Sequence, residues 1–157
     1  NVLSNLIIND KNIMLYIVGT GEMLNPIKKH IIDLGIQNYV TILGKREDVP
    51  YILSLMTIFV NCSVNEGMSN AVLEAMAARL PSVVVDAPGV SECHIKNVTG
   101  FVVANNTHKL ATKIKKLIDD LYLRKKMGNN ARKRIEDFFG IELNRQKYTT
   151  LYQKWTH

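Results

Sequence analysis

The sequence predicts an α/β fold in which helices connect the strands of a parallel sheet. Short apolar runs of strand length alternate along the chain with longer segments in which apolar residues recur at helical spacing. Strands that alternate with helices form parallel sheets, because the right-handed strand–helix–strand connection returns each strand in the same direction. At 157 residues, the chain is long enough for one domain with its own hydrophobic core.

Strands and helices are predicted in alternating order along most of the chain. The predicted strands cover residues 13–18, 39–43, 58–62, 82–85 and 101–103. The predicted helices cover residues 23–34, 49–56 and 69–79, and two amphipathic stripes follow Leu110 before a break near Gly140 and a terminal segment. The opening residues NVLSNLIIND resemble the middle of a helix, so the chain is expected to be part of a longer protein.

Glycines and capping residues mark the ends of the first elements. The apolar run 13–18 ends at Gly19, as expected for a strand that is buried on both faces. The helix that follows ends at Gly35, a residue suited to a helix C-terminus. Asp48 is expected to cap the next helix, with Pro50 in its first turn.

The helix predicted at residues 69–79 has an unusual outward side. Ser69 is predicted as its N-cap, with the hydroxyl oxygen accepting from the first backbone amides. The helical period places five apolar residues on one side, which is predicted to face the sheet: Val72, Leu73, Met76, Ala77 and Leu80. Asn70 and Glu74 lie one turn apart on another side, with only alanines beside them and no cation before Arg79. Such a side suits close approach by a ligand or by another domain.

Three loops are expected at the carboxyl edge of the sheet, where α/β folds bind ligands. They carry Gly19 and Gly21 after the first strand, the GKR turn after the second, and Glu66 with Gly67 after the third. The helix start offers free amides to an anion, from Gly67, Met68, Ser69 and Asn70. A carboxylate on each side of a bound phosphate, at Glu66 and Glu74, suits the hydroxyls of a sugar nucleotide.

Composition and charge exclude several other classes. Net charge is +6, and the basic residues concentrate between Lys109 and Arg134, which is typical of solvated helix faces. Tyr122 is the one aromatic residue in this stretch and no recognised nucleic-acid module accompanies it, so no nucleic-acid partner is expected, while attraction to an anionic membrane surface stays open. The two cysteines and four histidines lack metal-ligand spacing, which predicts a reduced cytoplasmic compartment and no bound metal. The apolar runs are too short to cross a bilayer.

The stretch EGMSNAVLE, preceded by FVNCS and followed by AMAARLPSVVVDAPGVSE, resembles the glutamate-x7-glutamate motif of family 4 retaining glycosyltransferases. IVGTGE, LGKREDV and NVTGFVV resemble further segments of that family in the same order, so the resemblance covers nearly the whole chain. It implies a Rossmann-like parallel sheet with helices on both faces, the C-terminal half of a GT-B fold. It also implies that residues 1–157 are one donor-binding domain, with the N-terminal acceptor domain outside this chain.

The resemblance implies a role for each motif residue. Its donor-sugar and phosphate contacts fall on Glu66 as the catalytic residue, on Gly67 and Met68 beside the sugar and distal phosphate, and on Ser69 and Asn70 beside the diphosphate. Gly19 and Gly21 belong with these donor-sugar and phosphate contacts, since they let the first loop pass close to the donor. Its nucleotide contacts fall on Glu74 at the ribose and on Lys45 and Arg46 in the base pocket, more by backbone than by side chain. Glu92 matches a family glutamate that we interpret as structural. Arg79 stands where the family commonly has a glycine, which leaves the shape of that corner open.

The implied function is glycosyl transfer from a nucleoside-diphosphate sugar with retention of configuration, in polysaccharide or glycoconjugate biosynthesis. The resemblance implies no metal and no cofactor, and an acceptor glycan or lipid-linked sugar that the N-terminal domain holds, in the cytoplasm or peripherally at the inner face of the membrane. The chain by itself is expected to bind donor weakly and not to turn over, because the family's phosphate-binding arginine and lysine lie upstream of Asn1.

Three alternatives remain beside this interpretation. A non-catalytic nucleotide-binding module of the same fold would keep the same site. An NAD-binding domain is disfavoured, because Leu24 replaces the third glycine of the fingerprint and no acidic residue ends the second strand. A nucleic-acid binder that uses the basic helices ranks lowest.

Overall fold

The structure is a computed structural model that describes residues 1–8, 10–64 and 67–155, apart from the side chains of residues 143 and 144. The helices are α1 (Val2–Ile7), α2 (Leu24–Asp33), α3 (Val49–Ser54), α4 (Asn70–Ala77), α5 (Thr107–Asp119), α6 (Leu121–Arg134) and α7 (Ile141–Trp155). The strands are β1 (Leu15–Val18), β2 (Val40–Gly44), β3 (Phe59–Asn61), β4 (Ser82–Val85) and β5 (Gly100–Val103). Short 3-10 turns occupy Gln37–Tyr39 and Ser91–Cys93, and a π-helical turn, Ile135–Phe139, joins α6 to α7 near the predicted break at Gly140.

All strand pairs are parallel, which confirms the predicted class. They form two ladders rather than the single sheet that was expected, one of β1 with β2 and one in the order β3-β4-β5. The expectation that the first strand is buried on both faces is wrong, because half-buried and exposed residues alternate along β1. Tyr16 and Val18 leave one face of β1 open, at 41% and 40% exposure.

The hydrophobic core lies on both faces of the three-stranded sheet. On one face, α5 packs on alternate residues of β4 and β5, in a cluster of Leu6, Val83, Val85, Phe101, Val103, Leu110, Ala111, Ile114, Leu117 and Met127. On the other face, α4 and α6 pack on the intervening residues, in a cluster of Val72, Met76, Val84, Val90, Cys93, Val102 and Ala131. Helices therefore cover both faces of this sheet, as predicted.

Helix α4 is buried over a wider arc than the helical wheel predicted. Val72 and Met76 are fully buried as expected, but Ala75 is fully buried as well. The reason is a third cluster, in which Ala75 and Leu80 pack against Leu53 of α3, so a neighbouring helix covers a side of α4 that the sheet does not.

The C-terminus of α4 shows how Arg79 replaces the usual glycine. Arg79 adopts a left-handed backbone with φ of 60°, and two bonds close the helix, from Arg79 N to Met76 O and from Leu80 N to Ala75 O, both 3.0 Å. Helix α6 approaches this corner at Gly128, where a Cβ atom would lie 2.0 Å from Arg79 O. The corner therefore keeps the form that a glycine would give it.

Candidate functional site

A buried asparagine, Asn61, contacts the residue at the N-cap of α4. Ser69 occupies the N-cap position, as predicted, and is almost fully buried. Its side chain makes no capping hydrogen bond, so that part of the prediction is wrong. Its Oγ instead lies 3.5 Å from Nδ2 of Asn61, and Oδ1 of Asn61 accepts from the Ser63 amide at 2.8 Å. Asn61, which sequence reasoning passed over, thus links the end of β3 to the start of α4.

One of the four amides predicted to face an anion is already occupied. The Ser69 N–H donates to Gly89 O in the loop after β4, at 3.1 Å. The structure gives the amides of Gly67 and Met68 no acceptor within residues 67–155, and both residues are exposed. A Cβ atom at Gly67 would meet nothing within 4 Å, so the approach to this backbone is open.

The outward side of α4 is confirmed as an exposed polar strip. Asn70 and Glu74 are both exposed one turn apart, with exposed Ala71 beside them and half-buried Ala78 further on. Across the described ranges of the chain, no side-chain hydrogen bond or ion pair engages either of them. Glu66, the predicted catalytic residue, lies outside the described residues.

The loop after β1 is joined to the last residue of β2 by a backbone hydrogen bond from Gly19 N to Gly44 O at 2.8 Å. Gly19 has φ of 129°, which L side chains rarely adopt. Gly21 is exposed at the tip of the same loop, and Lys45 and Arg46 are exposed directly after β2. The glycines predicted to contact the donor and the two basic residues predicted at the base therefore lie in two loops that follow paired strands.

The Arg46 side chain has a partner within its own loop. Its guanidinium makes two hydrogen bonds to the Asp48 carboxylate, at 2.8 and 2.7 Å. These bonds lower the pKa of Asp48 and raise that of Arg46. Asp48 stands at the N-cap of α3 as predicted but does not cap it through its side chain, because the carboxylate is turned to Arg46.

The structure brings the site loops together in two pairs. Gly19 joins the loop after β1 to the end of β2 at Gly44, while Ser69 and Gly89 join the loops after β3 and β4. The three predicted loops follow the carboxyl ends of parallel strands, and the loop after β4, which was not predicted as part of the site, does so as well. No backbone hydrogen bond between the described residues links one pair to the other.

The arginines of the basic segment do not form a solvated face, which corrects that interpretation for part of the segment. Arg124 donates to the carbonyls of Leu117 and Ile118, both at 2.6 Å, and so closes the end of α5. Arg132 donates to Ala77 O at 2.9 Å. Arg134 donates to Cys93 O at 2.6 Å and to Glu92 O at 3.0 Å. The sequence carried no signal for these bonds, since their acceptors are backbone atoms, which for Arg132 and Arg134 lie more than 40 residues away. Glu92 takes part through its carbonyl, while its side chain is exposed.

A buried histidine, His94, directly follows the Ser91–Cys93 turn. His94 is 7% exposed, its Nδ1 lies 3.1 Å from Thr99 Oγ1, and its Nε2 has no hydrogen-bond partner in the described part of the chain. Burial first, and the charge of Arg134 second, lower the pKa of His94 to about 4. His94 is therefore neutral near pH 7.

Both cysteines are unpaired thiols, as expected, with Cys62 exposed and Cys93 buried. No cluster of three His, Cys, Asp or Glu side chains placed to hold a metal ion occurs among the residues that the structure describes. Over the same residues, none of the helices is both long and apolar enough to cross a membrane.

Comparison with known proteins decides the family. The family model for glycosyl transferases group 1 matches residues 2–134. The chain belongs to this family. It is 31% identical over 143 residues to the capsular polysaccharide biosynthesis glycosyltransferase CapM of Staphylococcus aureus, covering 90% of this chain and 38% of that protein. It is 32% identical over 154 residues to the UDP-Gal:alpha-D-GlcNAc-diphosphoundecaprenol alpha-1,3-galactosyltransferase of Escherichia coli, covering 96% and 39%.

Solved structures show the same fold. A mutant of S. aureus TarM, in complex with fondaparinux, alpha-GlcNAc-glycerol and UDP, superimposes with a TM-score of 0.90 at 26% identity, covering 96% of this chain and 31% of that chain. These matches confirm the predicted family and the Rossmann-like α/β fold of a GT-B glycosyltransferase. This chain of the glycosyl transferases group 1 family spans about two fifths of the length of the curated relatives it matches.

Proposed function

We propose that this chain is the donor-binding domain of a retaining glycosyltransferase and that the start of α4 holds the diphosphate of a nucleoside-diphosphate sugar. The observation that carries the proposal is the open helix start, where exposed Gly67 and Met68 have no acceptor for their amides within residues 67–155. Helix N-termini attract anions through such amides and through the helix dipole. The TarM complex supports a uridine nucleotide as the first ligand to test, because its structure contains UDP.

In this proposal, the predicted site residues contact different parts of the donor. The amides of Gly67 and Met68 face the sugar and distal phosphate, Asn70 lies beside the diphosphate, and Glu74 accepts from the ribose hydroxyls. Ser69 contributes by fixing the helix start, since its amide already donates to Gly89 O. Gly19 and Gly21 let the first loop pass close to the donor sugar and phosphates, Lys45 and Arg46 border the base, and Glu66 contacts the transferred sugar as the catalytic residue.

The chemistry we propose is transfer with retention of the anomeric configuration, in which the leaving phosphate helps to take the acceptor's proton. Preorganised amides and basic side chains stabilise the departing diphosphate, which requires neither a metal nor a cofactor. Residues 1–157 act as the donor half, and a further N-terminal domain holds the acceptor. The chain by itself is expected to be inactive.

The setting we propose is polysaccharide or glycoconjugate biosynthesis, on an acceptor glycan or lipid-linked sugar. The names of the S. aureus and E. coli relatives support it, since one concerns capsular polysaccharide and the other a diphosphoundecaprenol-linked acceptor. A cytoplasmic protein, associated peripherally with the inner face of the membrane, would meet such an acceptor. The alternative of an NAD-binding domain is tested by the NAD arm of the experiment, whereas a non-catalytic nucleotide module would give the same melting shift and differs only in lacking transfer.

The test is the melting temperature of this chain with UDP, GDP, ADP and NAD, for the wild type, for Glu74→Ala and for Asp33→Ala. A ligand at about a hundred times its Kd stabilises the folded state by about 2.7 kcal/mol, which is readily measured as a melting shift. We expect a shift with one nucleoside diphosphate that Glu74→Ala removes. Asp33→Ala, which deletes an exposed carboxylate from α2, is expected to keep the shift. A shift with NAD alone, or equal shifts in both variants, would overturn the proposed site.

A further inference from the structure

We propose that Arg134 is a positioning residue for the donor site, acting through Cys93 and the Gly89 carbonyl on Ser69. The identity of the ligand rests on the proposed function, whereas the hydrogen bonds that connect Arg134 to Ser69 do not depend on it. Arg134 ends α6 and lies 65 residues beyond Ser69, the N-cap of α4. Three hydrogen-bonded links nevertheless connect the two positions.

The first link is the guanidinium itself. Arg134 Nε donates to Cys93 O at 2.6 Å and Nη2 donates to Glu92 O at 3.0 Å, so one planar group spans two successive carbonyls of the Ser91–Cys93 turn. The same guanidinium lies over the rings of Phe138 and Phe139, 5.4 and 5.6 Å from their centroids. Aromatic rings and carbonyls together hold this half-buried cation in one orientation.

The second and third links meet at one carbonyl. The Cys93 thiol, which is fully buried, donates to Gly89 O at 3.3 Å. The same oxygen accepts the Ser69 N–H at 3.1 Å. Gly89 has φ of 73°, so the direction of its carbonyl depends on a left-handed turn that the Ser91–Cys93 segment supports. Moving that segment therefore moves the acceptor of the Ser69 amide.

The position of Ser69 decides where the open amides of the helix start lie. Ser69 is the N-cap of α4, and Gly67 and Met68 come directly before it. A displacement of about 1 Å in a binding group costs up to about a hundredfold in function, so support from behind the loop affects donor affinity. Arg134 thus acts on the donor without touching it.

The chain offers a matched control on the same helix. Arg132 lies two residues before Arg134 and also donates to a backbone carbonyl, Ala77 O, at 2.9 Å. It pairs with Glu136 at 2.6 Å. Arg132 therefore secures α6 to the C-terminal end of α4, whereas Arg134 reaches the N-terminal end through the loop.

The experiment compares Arg134→Lys with Arg132→Lys in two readouts on this chain, below the melting temperature of each variant. Lysine keeps the charge but cannot bridge two carbonyls as the planar guanidinium does. The first readout is hydrogen exchange of the Ser69 amide by NMR without nucleotide, and the second is the Kd for UDP by calorimetry. For Arg134→Lys we expect about tenfold faster exchange and about tenfold weaker binding. For Arg132→Lys we expect both to stay within about twofold of the wild type.

Variants at Cys93 test the middle link independently of any loss of folding at Arg134. Cys93→Ala removes the donor to Gly89 O and is expected to repeat the Arg134→Lys result. Cys93→Ser keeps a donor at that position and is expected to restore slow Ser69 exchange.

The outcomes separate this inference from the proposed function. Equal effects of Arg134→Lys and Arg132→Lys would make Arg134 merely structural and would overturn the inference, as would faster exchange with an unchanged Kd. If the wild type binds none of the nucleotides while Ser69 exchange still separates the two variants, the nucleotide assignment fails and the link from Arg134 to Ser69 stands.

Discussion

The two ladders of this chain differ in how their side chains are covered. Every residue of β4 and β5 is buried, whereas β1 and β2 contain only half-buried and exposed residues. The helices differ in the same way, since α4 has three fully buried residues and α2 has none that is buried. Both ladders nevertheless carry loops of the candidate site at the carboxyl ends of their strands.

The difference separates two ways of holding a loop. In the three-stranded half, the loops around α4 rest on a packed core and on hydrogen bonds between buried groups, such as Ser69 with Gly89. In the two-stranded half, within residues 10–64, the turn after β1 is tied to the end of β2 by one backbone hydrogen bond, and the loop after β2 contains an exposed ion pair between Arg46 and Asp48. We infer that packing positions the loop proposed to bind phosphate, while local hydrogen bonds position the loop proposed to border the base.

Truncating one apolar side chain in each half gives the largest expected contrast. Met76→Ala removes a fully buried side chain of α4 and is expected to lower the free energy of unfolding by about 2–5 kcal/mol. Ile27→Ala removes a half-buried side chain of α2 and is expected to cost about 1 kcal/mol or less. Urea denaturation of both variants measures the difference. Equal costs would show that the two halves share one core and would end the comparison.

The pH dependence of stability is expected to originate in the three-stranded half. His94 has its pKa lowered from 6.5 to about 4 in the folded chain. Between these values the unfolded chain binds a proton that the folded chain does not, so stability falls as the pH is lowered from 6.5 towards 4. The full loss, reached below the folded pKa, is on the order of 3 kcal/mol.

Urea denaturation at a series of pH values checks this prediction. His94→Asn, which removes the titrating ring, is expected to flatten the profile across that window. His30→Asn, at an exposed position of α2, is expected to leave the slope in place. A slope that survives His94→Asn unchanged would place the acid sensitivity in other groups.

The sequence predicted the elements better than it predicted their contacts. Apolar runs such as residues 82–85 identify strands because the pattern depends only on neighbouring residues. The glycine after β1 marks the end of that strand, because this signal is local as well. The open face at Tyr16 could not be foreseen, because it depends on which surfaces find a partner in three dimensions. At the site, the exposed side of Asn70 and Glu74 followed from helical spacing. The bond between Ser69 and Gly89 did not, since backbone acceptors leave no trace in residue type.

Two non-glycine residues with a left-handed backbone allow a comparison with a smaller expected effect within the three-stranded half. Arg79 and Asn97 have φ of 60° and 63°, a conformation that costs an arginine more than an asparagine. Arg79→Gly relieves this strain and is expected to stabilise the chain by about 1 kcal/mol after the entropy of the added glycine is deducted. Asn97→Gly is expected to change stability by about 0.5 kcal/mol or less. Thermal melts of the two variants compare them, and an Arg79→Gly variant that is less stable than the wild type would show that its side chain contributes more than its backbone costs.

The smallest effect is expected in the two-stranded half, in the loop after β2 that carries Lys45 and Arg46. Arg46 is paired with Asp48 on the surface, so its guanidinium is engaged within the loop and its pair is screened by solvent. Arg46→Ala is therefore expected to leave the melting temperature nearly unchanged and to change the Kd for UDP by less than about twofold. Lys29→Ala, at an exposed position of α2 outside the proposed site, serves as the control for loss of one positive charge. Calorimetric titration with UDP measures both variants. If Arg46→Ala alone weakens binding by about tenfold, the guanidinium leaves Asp48 for the nucleotide when donor binds, and the two-stranded half then recognises its ligand through side chains rather than through the loop backbone.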